Sequence, residues 1–171
     1  MYDDVLLPTD GSAGMDRVIE EAVGLAERHD ATLHALYVVN TASLSNLPLE
    51  ASMDAVSDSL REEGRTALAE VERLVDDRVP LESATVEGSP AREIVDDATE
   101  TGVDLIVMGT HGRSGVDRLL LGSVAERVVR RSPVPVLTVR VTRSALPVGG
   151  TRPPTPAKQL FGYTESRRQP R

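Results

Sequence analysis

Three glycines and a serine at fixed spacing are the residues of this sequence best suited to hold a phosphate group. Two residues separate Gly109 from Gly112, and nine separate Gly112 from Gly122-Ser123; the set comes directly after the apolar run 105–108. Glycine accepts positive φ and lets a ligand approach the main chain closely. A strand end, a glycine-rich loop and a helix N-terminus together present N–H groups to an anion. The spacing therefore predicts a phosphate-binding loop.

A second loop, residues 8–12, follows the apolar run 5–7 and carries the carboxylate of Asp10. In open parallel sheets, ligands bind beyond the carboxyl ends of the strands, where the strand order reverses. If the order is 3-2-1-4-5, the first and fourth strands are neighbours and both loops face one crevice. Asp10 could then accept hydrogen bonds from a ribose hydroxyl or a base, and Arg113 could pair with phosphate oxygens.

Each of these residues also has a purely structural explanation. Asp10 and Gly11 could form only a tight turn, Ser12 could cap the first helix, and Ser123 could cap the last one. The glycines could serve only backbone φ requirements. Ligand contact is favoured for the glycines, because a turn does not need a third glycine nine residues later. For Asp10 the two interpretations remain balanced.

Other kinds of site find little support in the sequence. It contains no cysteine, no Walker-type phosphate loop, no G-x-G-x-x-G after the first strand and no nucleophile elbow. His29, His34 and His111 lack metal-ligand spacing, and His111 is expected to be an exposed loop residue. Any divalent ion is therefore expected to arrive bridging the phosphates of a nucleotide.

Strand-like and helical patterns alternate along the chain and predict a doubly wound α/β fold, a parallel sheet with helices on both faces. Gly88-Ser89-Pro90 predicts a turn, an N-cap and a first helical residue. Residues 123–126 predict a capping box. The predicted elements are strands at 5–7, 33–39, 81–87, 104–108 and 134–141, helices behind Ser12, at 54–76, 90–101 and from 123, and a loop at 40–53.

Charge is unevenly distributed. The chain carries a net charge of −8, residues 142–171 carry +5, and residues 1–141 therefore carry −13. Lys158 is the only lysine. Such an acidic body repels nucleic acid and anionic membranes, so neither is an expected partner. An acid-rich, lysine-poor composition also suggests a halophilic protein, in which salt screens self-repulsion.

Two segments differ in composition. Residues 1–141 are expected to form one domain, and residues 142–171, rich in proline and arginine, a flexible C-terminal tail. The first residues lack the pattern of a signal peptide, and no apolar run reaches membrane-spanning length. A cytoplasmic protein is the expectation.

The order of five short motifs resembles the universal stress protein family, in its ATP-binding branch. The resemblance covers about residues 1–141. Its motifs are V-L-L-P-T-D-G-S at 5–12, G-S-P at 88–90, M-G-T-H-G at 108–112, L-G-S-V-A at 121–125 and S-P-V-P-V-L at 132–137. The pattern G-x2-G-x9-G-[ST] of the ATP-binding branch is intact.

The resemblance implies a Rossmann-like three-layer sandwich, similar to adenine nucleotide hydrolases, with a five-stranded sheet in the order 3-2-1-4-5. It also implies a homodimer, often paired through the last strand, and ATP bound with Mg²⁺ or Mn²⁺ bridged through its phosphates. Tyr37 replaces a histidine often seen before the valine at 38, so base packing is expected to differ slightly. The implied nucleotide-binding residues are Pro8, Thr9, Asp10 and the main chain near Val38 for adenine and ribose, Met108 and Gly109 along the ribose, and Gly112, Arg113, Ser114, Gly122, Ser123 and Val124 around the phosphates.

Three functions fit these observations: an ATP-binding stress-response or signalling module, a slow ATPase or nucleotidyl-transfer enzyme, and a dimeric interaction protein without nucleotide. No general base, arginine finger or cation site aimed at a γ-phosphate is evident, which disfavours a fast enzyme. The intact glycine spacing disfavours the third function. Valine at position 122 is expected to weaken ATP binding at least tenfold by occupying the phosphate path.

Overall fold

The computed structural model describes residues 1–41, 53–111 and 121–141, without the side chains of residues 53–57. Strands and helices alternate through the described chain. In order, they are β1 (Asp4–Thr9), α1 (Met15–His29), β2 (Thr32–Asn40), α2 (Met53–Val75), β3 (Leu81–Gly88), α3 (Pro90–Thr101), β4 (Leu105–Gly109), α4 (Ser123–Arg131) and β5 (Val136–Val139).

The strands form one five-stranded parallel sheet in the order β3-β2-β1-β4-β5, which confirms the predicted fold. β1 pairs with both β2 and β4, so the strand order reverses at β1. β5 lies at one edge, where its preceding prolines are tolerated. The loops after β1 and β4 consequently leave neighbouring strands at the same edge of the sheet, as the crevice hypothesis requires.

Two apolar cores cover the two faces of the sheet. One lies between the sheet and the helices α1 and α2, and it includes Val5, Leu7 and Val107. The other lies between the sheet and the helices α3 and α4, and it includes Leu6 and Ile106. Adjacent residues of β1 and β4 thus face opposite cores, which explains why these central strands are continuous apolar runs rather than alternating ones.

The predicted helix caps at Ser12 and Ser123 are wrong. α1 begins at Met15, with Gly14 as N-cap at a φ of 95°, because Gly11 and Gly14 both take positive φ and extend the turn past Ser12. Gly122 is the N-cap of α4, and no side chain caps that helix. Glu126 of the expected capping box pairs instead with Arg130, at 2.7 Å.

Strand bounds differ from prediction most in β1 and β5, and β5 ends at Val139 rather than at residue 141. Pro8 and Thr9 belong to β1, where they pair with β2, instead of starting the loop. β5 begins at Val136 rather than at residue 134, because the Ser132 hydroxyl donates to the Val134 carbonyl at 2.7 Å and holds residues 132–134 in a turn. Ser89 is the N-cap residue of α3 as predicted, but its side chain makes no capping bond.

Asp104 ties the starts of β1 and β4 together. Its Oδ2 accepts the backbone N–H groups of Asp3 and Asp4 at 2.7 and 3.1 Å. These bonds favour the ionised carboxylate and hold the pKa of Asp104 below its ordinary value.

A lowered folded-state pKa makes a pH-dependent contribution to stability. This contribution is complete above the unfolded value of about 4 and disappears as the pH falls through the lower folded-state value. We expect Asp104→Asn to lower the free energy of unfolding at pH 7. The difference in free energy of unfolding between the variant and the wild type should shrink as the pH falls below about 4. Urea denaturation at pH 7, 4 and 3 measures this, and an equal deficit at all three values would contradict it.

Some predictions fall on residues outside the described ranges. They are residues 42–52 of the loop predicted at 40–53, the site residues Gly112, Arg113 and Ser114, and the tail from 142 to 171. Among the residues that are described, no helix is both long and apolar enough to span a membrane.

Candidate functional site

The sheet opens at its carboxyl edge around β1. The registered pairing of β1 with β4 covers Val5↔Leu105 and Leu6↔Ile106 only. The pairing of β1 with β2 ends at Thr9↔Tyr37, whereas β2 continues beside β3 to Asn40. The last residues of β2, starting with Val38, therefore extend past the end of β1. The pairing of β1 with both of its neighbours therefore ends at the edge where the crevice was predicted.

The turn after β1 is held by its own polar side chains. The Gly11 N–H donates to Thr9 Oγ1 at 3.3 Å, and the Ser12 N–H donates to Asp10 Oδ1 at 3.0 Å. Gly11 has a φ of +68°, a value that side-chain-bearing residues rarely adopt. Asp10 therefore does form the tight turn that its structural explanation required. The same bonds fix the direction of its carboxylate, which is half-buried at the crevice.

A buried hydroxyl lies in this turn without a partner. Ser12 Oγ is shielded from solvent and makes no hydrogen bond to any described residue. A buried donor left unpaired costs about 1–3 kcal/mol, so native proteins rarely keep one without a purpose. The sequence assigned Ser12 to a helix cap, and the structure instead places an unused polar atom two residues from Asp10.

Thr110 closes the glycine loop, a role that the sequence analysis missed. Its N–H donates to the Val139 carbonyl at 2.8 Å, and its carbonyl accepts the Gly122 N–H at 2.7 Å. Its Oγ1 accepts the Val141 N–H at 3.3 Å. These contacts join the ends of β4, β5 and the segment before α4. A hydroxyl residue between two glycines was the available signal, but its partners lie far along the chain.

Gly109 and Gly122 lie at close approaches of chain segments, and neither takes positive φ. A Cβ at Gly109 would lie 3.0 Å from Val141 Cγ2 and 3.2 Å from the His111 carbonyl oxygen. A Cβ at Gly122 would lie 3.0 Å from the Thr110 carbonyl oxygen. The structural explanation from backbone φ therefore fails for these two glycines, and both lie where a side chain would crowd the loop ends.

The N-terminus of α4 presents main-chain donors beside this closed loop. The first intrahelical bond runs from the Glu126 N–H to the Gly122 carbonyl at 2.8 Å. The N–H groups of Ser123, Val124 and Ala125 precede it and have no acceptor among the described residues. Three unpaired N–H groups and the positive end of the helix dipole favour an anion here. Ala125 adds a main-chain donor that the sequence prediction had omitted.

The remaining predicted residues surround this centre with different exposure. Pro8, Thr9 and Met108 are buried, and Val38 and Val124 are half-buried against the core under α3 and α4. Val38, Met108 and Val124 therefore contribute to the core next to the proposed crevice. Ser123 is exposed. His111 is half-buried rather than exposed, with Nδ1 3.2 Å from Thr110 Oγ1.

Metal ligation by the protein itself has no support in the described ranges. No group of three or more His, Cys, Asp or Glu side chains there could hold a metal ion. The site thus combines one fixed carboxylate with main-chain donors, which suits a polar ligand carrying both hydroxyl donors and phosphate oxygens.

Comparison with known proteins agrees with the motifs. The family model of the Universal stress protein family matches residues 1–140. The chain belongs to the universal stress protein family. Its similarity to Universal stress protein MJ0531 of Methanocaldococcus jannaschii is 41% identity over 141 residues, covering 82% of this chain and 83% of the relative.

Solved structures of the universal stress protein family share the fold. The structure of MJ0577 from Methanocaldococcus jannaschii is 29% identical, with a TM-score of 0.74 over 84% of this chain and 99% of that one. A universal stress protein in complex with cAMP is 27% identical, with a TM-score of 0.64 over 82% of this chain and 99% of that one.

Proposed function

We propose that this universal stress protein binds an adenine nucleotide, ATP, in the crevice between the loops after β1 and β4. It acts as a nucleotide-dependent stress-response or signalling module, with at most slow ATP hydrolysis. The observation that carries the proposal is the pairing of β1 with β4, because the Asp10 turn and the loop that leads to the start of α4 therefore leave the sheet at the same edge. A nucleoside and a phosphate chain need these two kinds of partner side by side.

The nucleoside half of the ligand binds on the side of the crevice that carries Asp10. The Asp10 carboxylate accepts hydrogen bonds from the ribose or the base, and the main chain near Val38 lies against the base edge. Pro8, Thr9, Met108 and Gly109 enclose this half. The buried, unpaired Ser12 hydroxyl is the polar atom of the turn that lacks a partner in the described residues.

The phosphate half belongs to the loop and the start of α4. The N–H groups of Ser123 and Val124 bind phosphate oxygens, with Gly112, Arg113 and Ser114 completing the set from outside the described ranges. Gly122 contributes through its position rather than its N–H, because that N–H is donated to the Thr110 carbonyl. Its role is to close the loop so that the amides after it face the ligand.

A relative supports the ligand class. The universal stress protein solved with cAMP shares the fold of this chain and is 27% identical to it. Mg²⁺ or Mn²⁺ accompanies ATP through its phosphates, which neutralises part of their charge near an acidic protein body. A homodimer paired through β5 agrees with the edge position of that strand and with Leu137, which is 36% exposed there.

Nucleotide extraction and calorimetry test the proposal. We expect adenine nucleotide to be released when the purified protein is denatured, and the emptied protein to bind ATP more tightly than GTP, because the base-binding half is specific. Steady-state phosphate release should stay below about one per second, the low end of ordinary enzymes. A protein that binds no ATP in the presence or absence of Mg²⁺ would refute the proposal, and faster release would favour an ATPase.

A further inference from the structure

We infer that Ala67 of α2 is a positioning residue that fixes the position of the Asp10 carboxylate. Ala67 therefore affects how tightly the site binds the nucleoside but not how tightly it binds the phosphates. The inference rests on the proposed nucleotide binding. α2 was not connected with the ligand by any sequence motif, and it reaches the site only through packing.

Ala67 packs directly against the turn after β1. The side chain is 5% exposed, and a Cβ added to Gly11 would lie 3.0 Å from the Ala67 Cβ. The turn and the helix therefore touch with no room for another carbon atom. Interiors packed this closely transmit a change of one or two methyl groups to their neighbours.

Movement of Gly11 necessarily moves Asp10. Gly11 follows Asp10 directly, its N–H is held by Thr9 Oγ1, and the Asp10 carboxylate is held by the N–H of Ser12. These bonds make the turn a small rigid unit, so that a push at Gly11 shifts the carboxylate instead of being absorbed by a flexible side chain.

A second small residue, Gly64, lets α2 pack closely one helical turn before Ala67. A Cβ at Gly64 would lie 2.7 Å from Cδ1 of Tyr37, whose ring is buried. Tyr37 pairs in register with Thr9, the last residue of β1. α2 thus contacts the turn at Ala67 and the end of β2 at Gly64. These two contacts fix the position of α2 relative to the Asp10 turn.

The contact separates the two halves of the site. Neither Thr110, nor Gly122, nor the first turn of α4 is involved in it. Displacing the Asp10 turn should weaken the binding of ATP and of AMP by the same factor, because the two nucleotides share the nucleoside. The ratio of their affinities should therefore stay unchanged. General damage to the site would instead lower this ratio, because the extra phosphates of ATP would lose their contacts too.

Calorimetry with ATP and AMP on Ala67→Val tests the inference, with Ala69→Val as control. Ala69 is exposed on the same helix, so its substitution carries the same helix-propensity cost. We expect Ala67→Val to lower the affinity for both nucleotides about tenfold, with an unchanged ratio of ATP to AMP affinity. Ala69→Val is expected to change neither affinity. If Ala67→Val does not fold, Ala67→Gly against Ala69→Gly is expected to weaken both ligands about threefold by removing the support.

The outcomes distinguish the two proposals. Failure of the wild type to bind either nucleotide would refute the proposed function, and this inference with it. Wild-type binding combined with unchanged affinity in the position-67 variants would refute the inference alone. A lowered ATP-to-AMP ratio, or an equal loss in the position-69 controls, would also refute it.

Discussion

Gly122→Val is expected to weaken ATP binding at least tenfold while leaving the protein folded. The physical reason is the approach of two backbone segments. A Cβ at position 122 would lie 3.0 Å from the Thr110 carbonyl oxygen and 3.5 Å from the His111 Cα, and backbone atoms cannot swing aside as a flexible side chain can. Valine would break the 2.7 Å bond between Gly122 and Thr110 and shift the start of α4.

The structure changes the explanation of this prediction but not its direction. From the sequence, the valine was expected to occupy the phosphate path; in the structure its Cβ faces the loop that closes the site. Calorimetry measures the effect, and Gly24→Val is the matched control, since a Cβ there meets only the flexible end of Arg28 at 3.5 Å. ATP should lose more affinity than AMP. Unchanged ATP affinity in a folded variant would exclude the glycine loop from the binding site.

Leu6→Ala is expected to cost about 3–5 kcal/mol of the free energy of unfolding. Leu6 is fully buried in β1, the strand at which the order reverses, and its side chain belongs to the core under α3 and α4. The pairing of β1 with strands on both sides leaves the backbone little freedom to collapse into the cavity. A loss of this size approaches the total stability of many domains.

Urea denaturation of Leu6→Ala and Val129→Ala measures the difference. Val129 is 47% exposed on α4, so truncation to alanine there should cost less than about 1 kcal/mol. Comparable losses in the two variants would contradict the central position of β1. If the Leu6 variant retains enough folded protein, its ATP affinity should change little, because the residue faces the core.

Part of the candidate site could be predicted from local sequence. Gly109, Gly122 and Ser123 follow from their spacing after a buried strand, and Asp10 from its place after the first strand. Such features depend on a few neighbouring residues and on general rules of parallel sheets. The halophilic character, the cytoplasmic location and the homodimer remain predictions.

Other features could not be predicted because they depend on residues distant in sequence. Thr110 acts through Val139 and Val141, and Ala67 acts through Gly11. The caps at Ser12 and Ser123 were wrong for a related reason. A serine before a helix is a good cap by local preference, but positive φ at Gly11 and Gly14 moved the N-cap of α1 two residues onward, from Ser12 to Gly14.

The sequence by itself determined the alternation of strands and helices, the two continuous apolar central strands and the family, because periodicity and short motifs encode them locally. Only the tertiary structure decided which glycines lie at close contacts, which amides have no acceptor among the described residues, and that α2 packs against the Asp10 turn. These properties depend on distances between segments brought together by packing, and no local pattern contains such distances.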